Sequence, residues 1–276
     1  MSIPPPFQHL VDDAAIFPPG LAPLPDAMAA HVAHRRAAHA DLVGPFLADA
    51  ARLDALIALA PEGLEVGVVV PSPDVVADVV DRVATAGLVL VGLEVKLGGT
   101  PPAAEQVGEV AAVAPDGVAT YVEVPRPTAP DWPGVLDAVF AHGLRLKFRT
   151  GGTEASAFPS EDEVASWIEA AVAQAVPFKC TAGLHHAVRH IGHDTGFEHH
   201  GYLNILLATA RATGGADHAA VVASLAERNT AALTDAVRDI PDLERAREAF
   251  MSYGSCSIVE PYDDLAALGL LTAPTR

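Results

Sequence analysis

A chain of 276 residues, half of them hydrophobic, is long enough to bury a full core, so one large α/β barrel or two small domains are both allowed. A formal net charge of -18 and a sequence pI near 4.9 argue against wholesale binding to nucleic acid or to anionic membrane. MSIPPPFQHL lacks the basic stretch and apolar centre of a leader, and no run reaches the roughly 18 apolar residues of a spanning helix, so a soluble cytoplasmic protein is expected.

In chain order, residues 1–10 read as an extended arm and VDDAAIFPPG as a short strand stopped by Pro18 and Pro19, with Asp12 and Asp13 near its start. An alanine-rich helix is predicted over 24–40, a strand in DLVGPFLA and a helix over 50–60. LEVGVVVPS is a third strand, followed by a helix that opens near Ser72 and Pro73 and closes at Gly87. LVLVGLEVKLGG, ATYVEVP, LRLKFRTGG and PFKCTAG are strands four to seven, separated by helices in PAAEQVGEVAAVAP, PDWPGVLDAVFAHG and SEDEVASWIEAAVAQA. In the last of these helices Ser160 and Glu163 have the spacing of a capping box. Helices are predicted over 201–215 and 216–237, SCSIVEP is the candidate eighth strand, and YDDLAALGLL closes the chain.

Eight strands alternating with helices predict a single (β/α)8 barrel spanning residues 1–276, with a doubly wound open sheet as the alternative. KLGGTPP and RTGGTEA lack the spacing of a dinucleotide-binding glycine fingerprint. Side chains two apart share a strand face, so Glu94 with Lys96, Tyr121 with Glu123, Lys147 with Arg149, and Lys179 with Thr181 are predicted to face the barrel axis. Leu93, Val95, Val122, Val124, Leu146, Phe148, Phe178 and Cys180 then form the layer beneath the helices, which makes Cys180 a buried thiol. The two cysteines, Cys180 and Cys256, make no disulfide framework.

Lys96, Lys147 and Lys179 are the only lysines among 17 lysines and arginines, and all three lie in strand-like runs. A primary amine crowded by other cations loses its proton more readily and can attack a carbonyl, which a guanidinium cannot. On these residues the chain resembles the class I (Schiff-base) aldolase barrels, above all the deoxyribose-phosphate aldolase family. By strand count, the resemblance implies a Schiff-base lysine at Lys147 and a second lysine that perturbs it at Lys179. It also implies a phosphate seat after the last strands, at Gly254, Ser255 and Ser257. The chain departs from that family where LHHAVRH follows strand seven and where strand four ends in Lys96 instead of a carboxylate.

Glu123 is the candidate general acid or base, or else a salt-bridge partner of Lys96 or Lys147. Arg149 followed by Thr150, Gly151 and Gly152 reads as an anion seat or a plain turn. Six of the 12 histidines, His185, His186, His190, His193, His199 and His200, crowd the loop after strand seven. His186 and His190 at i and i+4 on a helix face would match half of a zinc site, although H-E-x-x-H is absent. His185 or His186 is otherwise a proton shuttle or substrate ligand, and Thr181, Tyr202 and Asn204 are candidates to face the same opening.

The leading expectation is an enzyme of carbonyl chemistry, a lyase, aldolase or isomerase, acting on a small anionic metabolite. It needs no cofactor. A divalent-metal hydrolase or lyase, with zinc held by the histidine loop, and a non-catalytic metabolite-binding barrel are the alternatives, and a homo-oligomer is left open.

Overall fold

The computed structural model describes residues 2–98, 100–193 and 195–271. Eight parallel strands close into a barrel: β1 (Val11–Asp13), β2 (Val43–Asp49), β3 (Glu65–Val70), β4 (Val89–Lys96), β5 (Ala119–Glu123), β6 (Arg145–Arg149), β7 (Phe178–Thr181) and β8 (Phe250–Ser255). Each pairs with its neighbours in sequence, and β1 pairs with β8 to complete the circle. The fold is a (β/α)8 barrel, and the open-sheet alternative fails because a doubly wound sheet leaves two edges that are here bonded to each other.

The helices in order are α1 (Leu24–His34), α2 (Leu53–Ile57), α3 (Val76–Thr85), α4 (Ala103–Val113), α5 (Trp132–Ala141) and α6 (Glu161–Ala173), then α7 (Tyr202–Thr213), α8 (His218–Ala226), α9 (Thr230–Arg238), α10 (Leu243–Ala249) and α11 (Val259–Ala267). Helix α3 shows why they dock: Val76, Val79 and Val83 recur at helical spacing and are buried, while its charged residues stay outside. The eight apolar residues of alternate parity on β4 to β7 all belong to the core between barrel and helices. There Phe148 stacks on Trp167 of α6 at 5.0 Å and 4°. The Ser160 and Glu163 capping box forms at the start of α6.

Four local expectations are corrected. The eighth strand lies in FMSYGS, five residues before SCSIVEP. Gly254 weakens its strand signature, while Ser257 accepts a hydrogen bond from the Glu260 N–H and Pro261 falls in the first turn of α11, where a missing N–H costs no helical bond. Residues 2–10 do not form a free extended arm: Pro5–Phe7 make a 3-10 turn, and Ile3, Phe7 and Leu10 are buried in the core. The long helix expected over 216–237 is two helices, each begun by a side-chain cap, Asp217 on α8 and Asn229 on α9. The first helix stops at His34 and does not reach residue 40. Of the fourth strand as read from sequence, Gly99 lies outside the described residues, as do Met1 and residues 272–276 of the chain.

No helix among the described residues is long and apolar enough to cross a membrane.

Candidate active site

Strand register decides which axial groups meet. Lys96 lies opposite Glu123, Glu123 opposite Lys147, Lys147 opposite Lys179, and Lys179 opposite Ser252, so one level of the barrel runs continuously from β4 to β8. Glu94, two residues before Lys96, sits at the centre of this charge cluster. Its Oε2 is 2.8 Å from Lys147 Nζ, and its Oε1 accepts from Lys179 Nζ. Lys147 also reaches Glu123 at 3.0 Å, Arg149 binds Glu123 through Nε at 2.8 Å, and Lys179 reaches Asp12 of β1 at 2.5 Å. Ser252 donates to the same Asp12 oxygen at 2.8 Å. Three carboxylates thus alternate with three cations, and Asp12, Glu94, Lys147 and Lys179 are all no more than 3% exposed.

The two lysines are therefore separated by a shared carboxylate, and the expectation that one amine perturbs the other by direct cation crowding is replaced by ion pairing. Burial works to discharge Lys179, but the Asp12 and Glu94 charges outweigh it and hold its proton more tightly than in a free lysine. Burial would likewise raise Glu94, yet Lys147 and Lys179 hold it at about 2. Glu123 reaches about 2 by the same balance, with Lys147 and Arg149 opposing its burial. Asp12 differs, because desolvation outweighs Lys179 and raises its carboxyl above the ordinary aspartate range.

Above the cluster opens a cavity of about 890 Å³ at the C-terminal ends of the strands, the end where barrels of this class carry their chemistry. Lys147, Glu94, Arg149 and Thr181 line it. Lys179 does not line it. Lys96 also faces the cavity but is exposed, and it forms no ion pair with any described residue, so the three amines do not converge at one point. The wall is completed by Phe17, Pro18, Pro19 and Phe158 and by His185, His186, His190, His193 and His199, with Phe158 packed on His199 at 4.6 Å.

The histidine segment departs from expectation. No helix carries His186 and His190; His190–Ile191 instead forms a two-residue strand paired with Glu198–His199. His190 packs its ring between those of His186 and His199, at centroid distances of 4.9 and 5.3 Å. His186 is anchored by Asp264 at 3.2 Å and His185 by Glu260 at 3.0 Å. Among the described residues no group of three or more histidine, cysteine, aspartate or glutamate side chains is placed to hold a metal ion, so the helical zinc spacing has no counterpart here.

Other candidates sort by burial. Asn204 is fully buried: it accepts from the Arg189 N–H at 2.8 Å and donates to the Ser224 and Glu227 carbonyls, which makes it a brace of the loop and not a ligand in the opening. Tyr202 is likewise buried, its hydroxyl spent on the Pro261 carbonyl. Gly151 lies under the cavity, where a Cβ would come within 2.9 Å of Gly183 Cα, so it is glycine because two backbones touch. Gly152 reaches the cavity wall. Of the residues implied for a phosphate seat, Gly254 lines the cavity, while Ser255 is buried and accepts from the Ser257 N–H.

In the sequence, the axial parity of Glu94 allows a structural Glu/Lys ion-pair network filling the barrel, whereas Asp12, Cys256 and Glu260 are not singled out as site residues. Acidic residues inside apolar strands were the available signal for Glu94 and Asp12, since a buried carboxylate requires a partner.

Taken together, the fold and the cavity define a (β/α)8 barrel with a compensated ion cluster at the base of a polar, imidazole-lined opening. No protein-family model matches the chain, and no curated protein matches it in sequence.

Proposed function

We propose that the protein is an enzyme of carbonyl chemistry, a lyase of the class I aldolase kind, in which Lys147 forms a Schiff base with a small anionic aldehyde or ketone. The observation that carries this reading is the Lys147 amine, buried between two carboxylates and facing the floor of the cavity. Glu94 answers the departure noted on strand four: that strand does supply a carboxylate to the lysine pair, two residues before Lys96.

Substrate binding begins the sequence. An anionic group drawn to Arg149 and Lys96 competes with Glu123 for the guanidinium. Glu123 then loses one of the charges that keep it at about 2, becomes more basic, and takes a proton from Lys147 3.0 Å away. The neutral amine adds to the carbonyl carbon, and Glu123 returns the proton as the carbinolamine hydroxyl leaves as water. Lys179, clamped by Asp12 and Glu94, stays charged throughout and keeps Glu94 ionised beside the developing iminium.

The test is borohydride trapping against pyruvate, acetaldehyde, glyceraldehyde 3-phosphate and dihydroxyacetone phosphate, with the adduct located by peptide mapping. The expected result is a reduced adduct on Lys147 that is lost in Lys147→Met. An adduct on other residues, or none with any of the four, overturns the reading. The complete compensation of three carboxylates by three cations favours one other reading, a barrel that binds an anionic metabolite without turnover. In that case a bound anion would raise the melting temperature, yet no carbonyl compound would ever be trapped.

A further inference from the structure

The Schiff-base reading leaves one nucleophile on the cavity wall without a task. Cys256 follows directly on β8 and is half-buried. Its Sγ lies 3.6 Å from Nε2 and 3.8 Å from Nδ1 of His185, which comes from the loop after β7. The same ring also meets a carboxylate: Nδ1 is 3.0 Å from Glu260 Oε2, in the first turn of α11. A carboxylate on Nδ1 favours the proton there and leaves the Nε2 lone pair as the base; Sγ is almost equidistant from the two nitrogens, so a rotation of the ring is what brings Nε2 into line with the thiol. His185 stands on the loop after β7, Cys256 on the loop after β8 and Glu260 on the helix that this second loop enters, at the C-terminal face of the barrel.

The other cysteine supplies the contrast. Cys180 is 1% exposed in the layer under the helices, and its apolar burial pushes the thiol far up. Cys256 is raised only to about 11, by burial first and the Glu260 charge second, with the Gly20 backbone N–H favouring the thiolate. Gly20 is glycine for a steric reason, since a Cβ there would lie 2.7 Å from Cys256 Cβ. A thiol at about 11 rests protonated near neutrality, so it needs a base at the moment of attack.

We propose that Cys256 is a second, sulfur nucleophile of this cavity, which adds reversibly to small aldehydes with His185 as general base and Glu260 as the group that orients it. The S–H proton passes to His185 Nε2 as the sulfur–carbon bond forms. The carbonyl π pair moves to oxygen, which takes the proton back from the imidazolium to give a hemithioacetal. No oxidant, reductant or leaving group is involved. The substrate class rests on the carbonyl reading of the cavity, but the thiol chemistry does not require Lys147.

Iodoacetamide kinetics at pH 7.5, read by peptide mapping, test this on the intact chain. Carbamidomethylation is expected at Cys256 and not at Cys180. Acetaldehyde should slow it reversibly in the parent and equally in Lys147→Met. His185→Gln should lower the Cys256 rate at least tenfold, and Glu260→Gln several-fold even though it removes a charge that opposes the thiolate, so that the fall reports lost orientation of the ring. Labelling of Cys180 would mark a variant as misfolded, and the surface variant Glu260→Gln then carries the reading alone. Unchanged Cys256 rates in the folded variants overturn the proposal, as does a lack of aldehyde protection. Protection lost in Lys147→Met would overturn it too, while leaving the Schiff-base reading intact, because the aldehyde would then be held by the amine alone.

Discussion

The floor and the rim of the cavity are built on opposite principles. On the floor, Asp12, Glu94, Lys147 and Lys179 project from rigid parallel strands and are nearly free of water, so each ionised group is tied to a partner of opposite sign. On the rim, His185, His186, His190 and His199 come from the segment after β7, the last two on its short strand pair, and all are partly exposed and held by hydrogen bonds and ring contacts. Charge is fixed where strand register fixes the side chains and adjustable where loops carry them. On the proposed readings the Lys147 amine acts from the floor and the Cys256 thiol from the rim.

The largest blow to the floor is Glu94→Leu, which strips both lysines of their common partner. Breaking a buried ion pair costs about 3–5 kcal/mol, so a loss of unfolding free energy of that size, read from the fall in urea midpoint, is expected. By contrast, Lys147→Met leaves Glu94 bound to Lys179 and Glu123 bound to Arg149, and should cost visibly less. Equal losses in the two variants would show that Glu94 is not the keystone.

Acid separates the two regions next. Glu94 and Glu123 are depressed from 4.5 to about 2, so the stability they contribute is complete above pH 4.5 and disappears as pH falls toward 2. His200, buried behind the rim and bonded to the Pro159 carbonyl, is lowered from 6.5 to about 4, chiefly by burial. Its neutral form is therefore favoured in the fold, and its contribution is present above pH 6.5 and lost between 6.5 and 4. His186 runs the other way, because its hydrogen bond to Asp264 raises it and its stabilisation is lost as pH rises through the folded value. Urea titrations at stepped pH, with imidazole proton resonances as site reporters, should show the His200 loss before the carboxylate loss. A single transition below pH 4 would contradict the division.

Smaller effects sharpen it. Asn204→Ala leaves the Arg189 N–H and two carbonyls without their partner and should cost about 1–3 kcal/mol while borohydride adducts still form. Lys96→Met, at an exposed position free of ion pairs with described residues, should change stability by no more than about 0.5 kcal/mol and weaken only the capture of anionic substrates.

Period-two alternation in VGLEVK, TYVE, LKFR and FKCT already separated axial from outer residues, because a strand has only two faces. The Ser160 cap was equally legible, since a helix start is a local event. What local pattern could not reach were the partners. Lys179 meets Asp12 across 167 positions of chain, a contact that exists only because β8 closes on β1. Likewise the pairing of Cys256 with His185, 71 residues away, depends on how two loops lie side by side at the barrel mouth. Asn204 misled for the same reason: a polar residue opening a helix reads as exposed until α6, α8 and α10 cover α7 on its remaining sides.

Read along the chain alone, the alternating α/β order, the face each strand residue takes and the axial parity of all three lysines were already evident. That the circle closes, that Glu94 stands between Lys147 and Lys179, and that Lys96 stays at the rim followed from the folded barrel. The physical reason is that facing direction follows from backbone periodicity within one strand, whereas ion pairing depends on the stagger between strands, which closure alone sets.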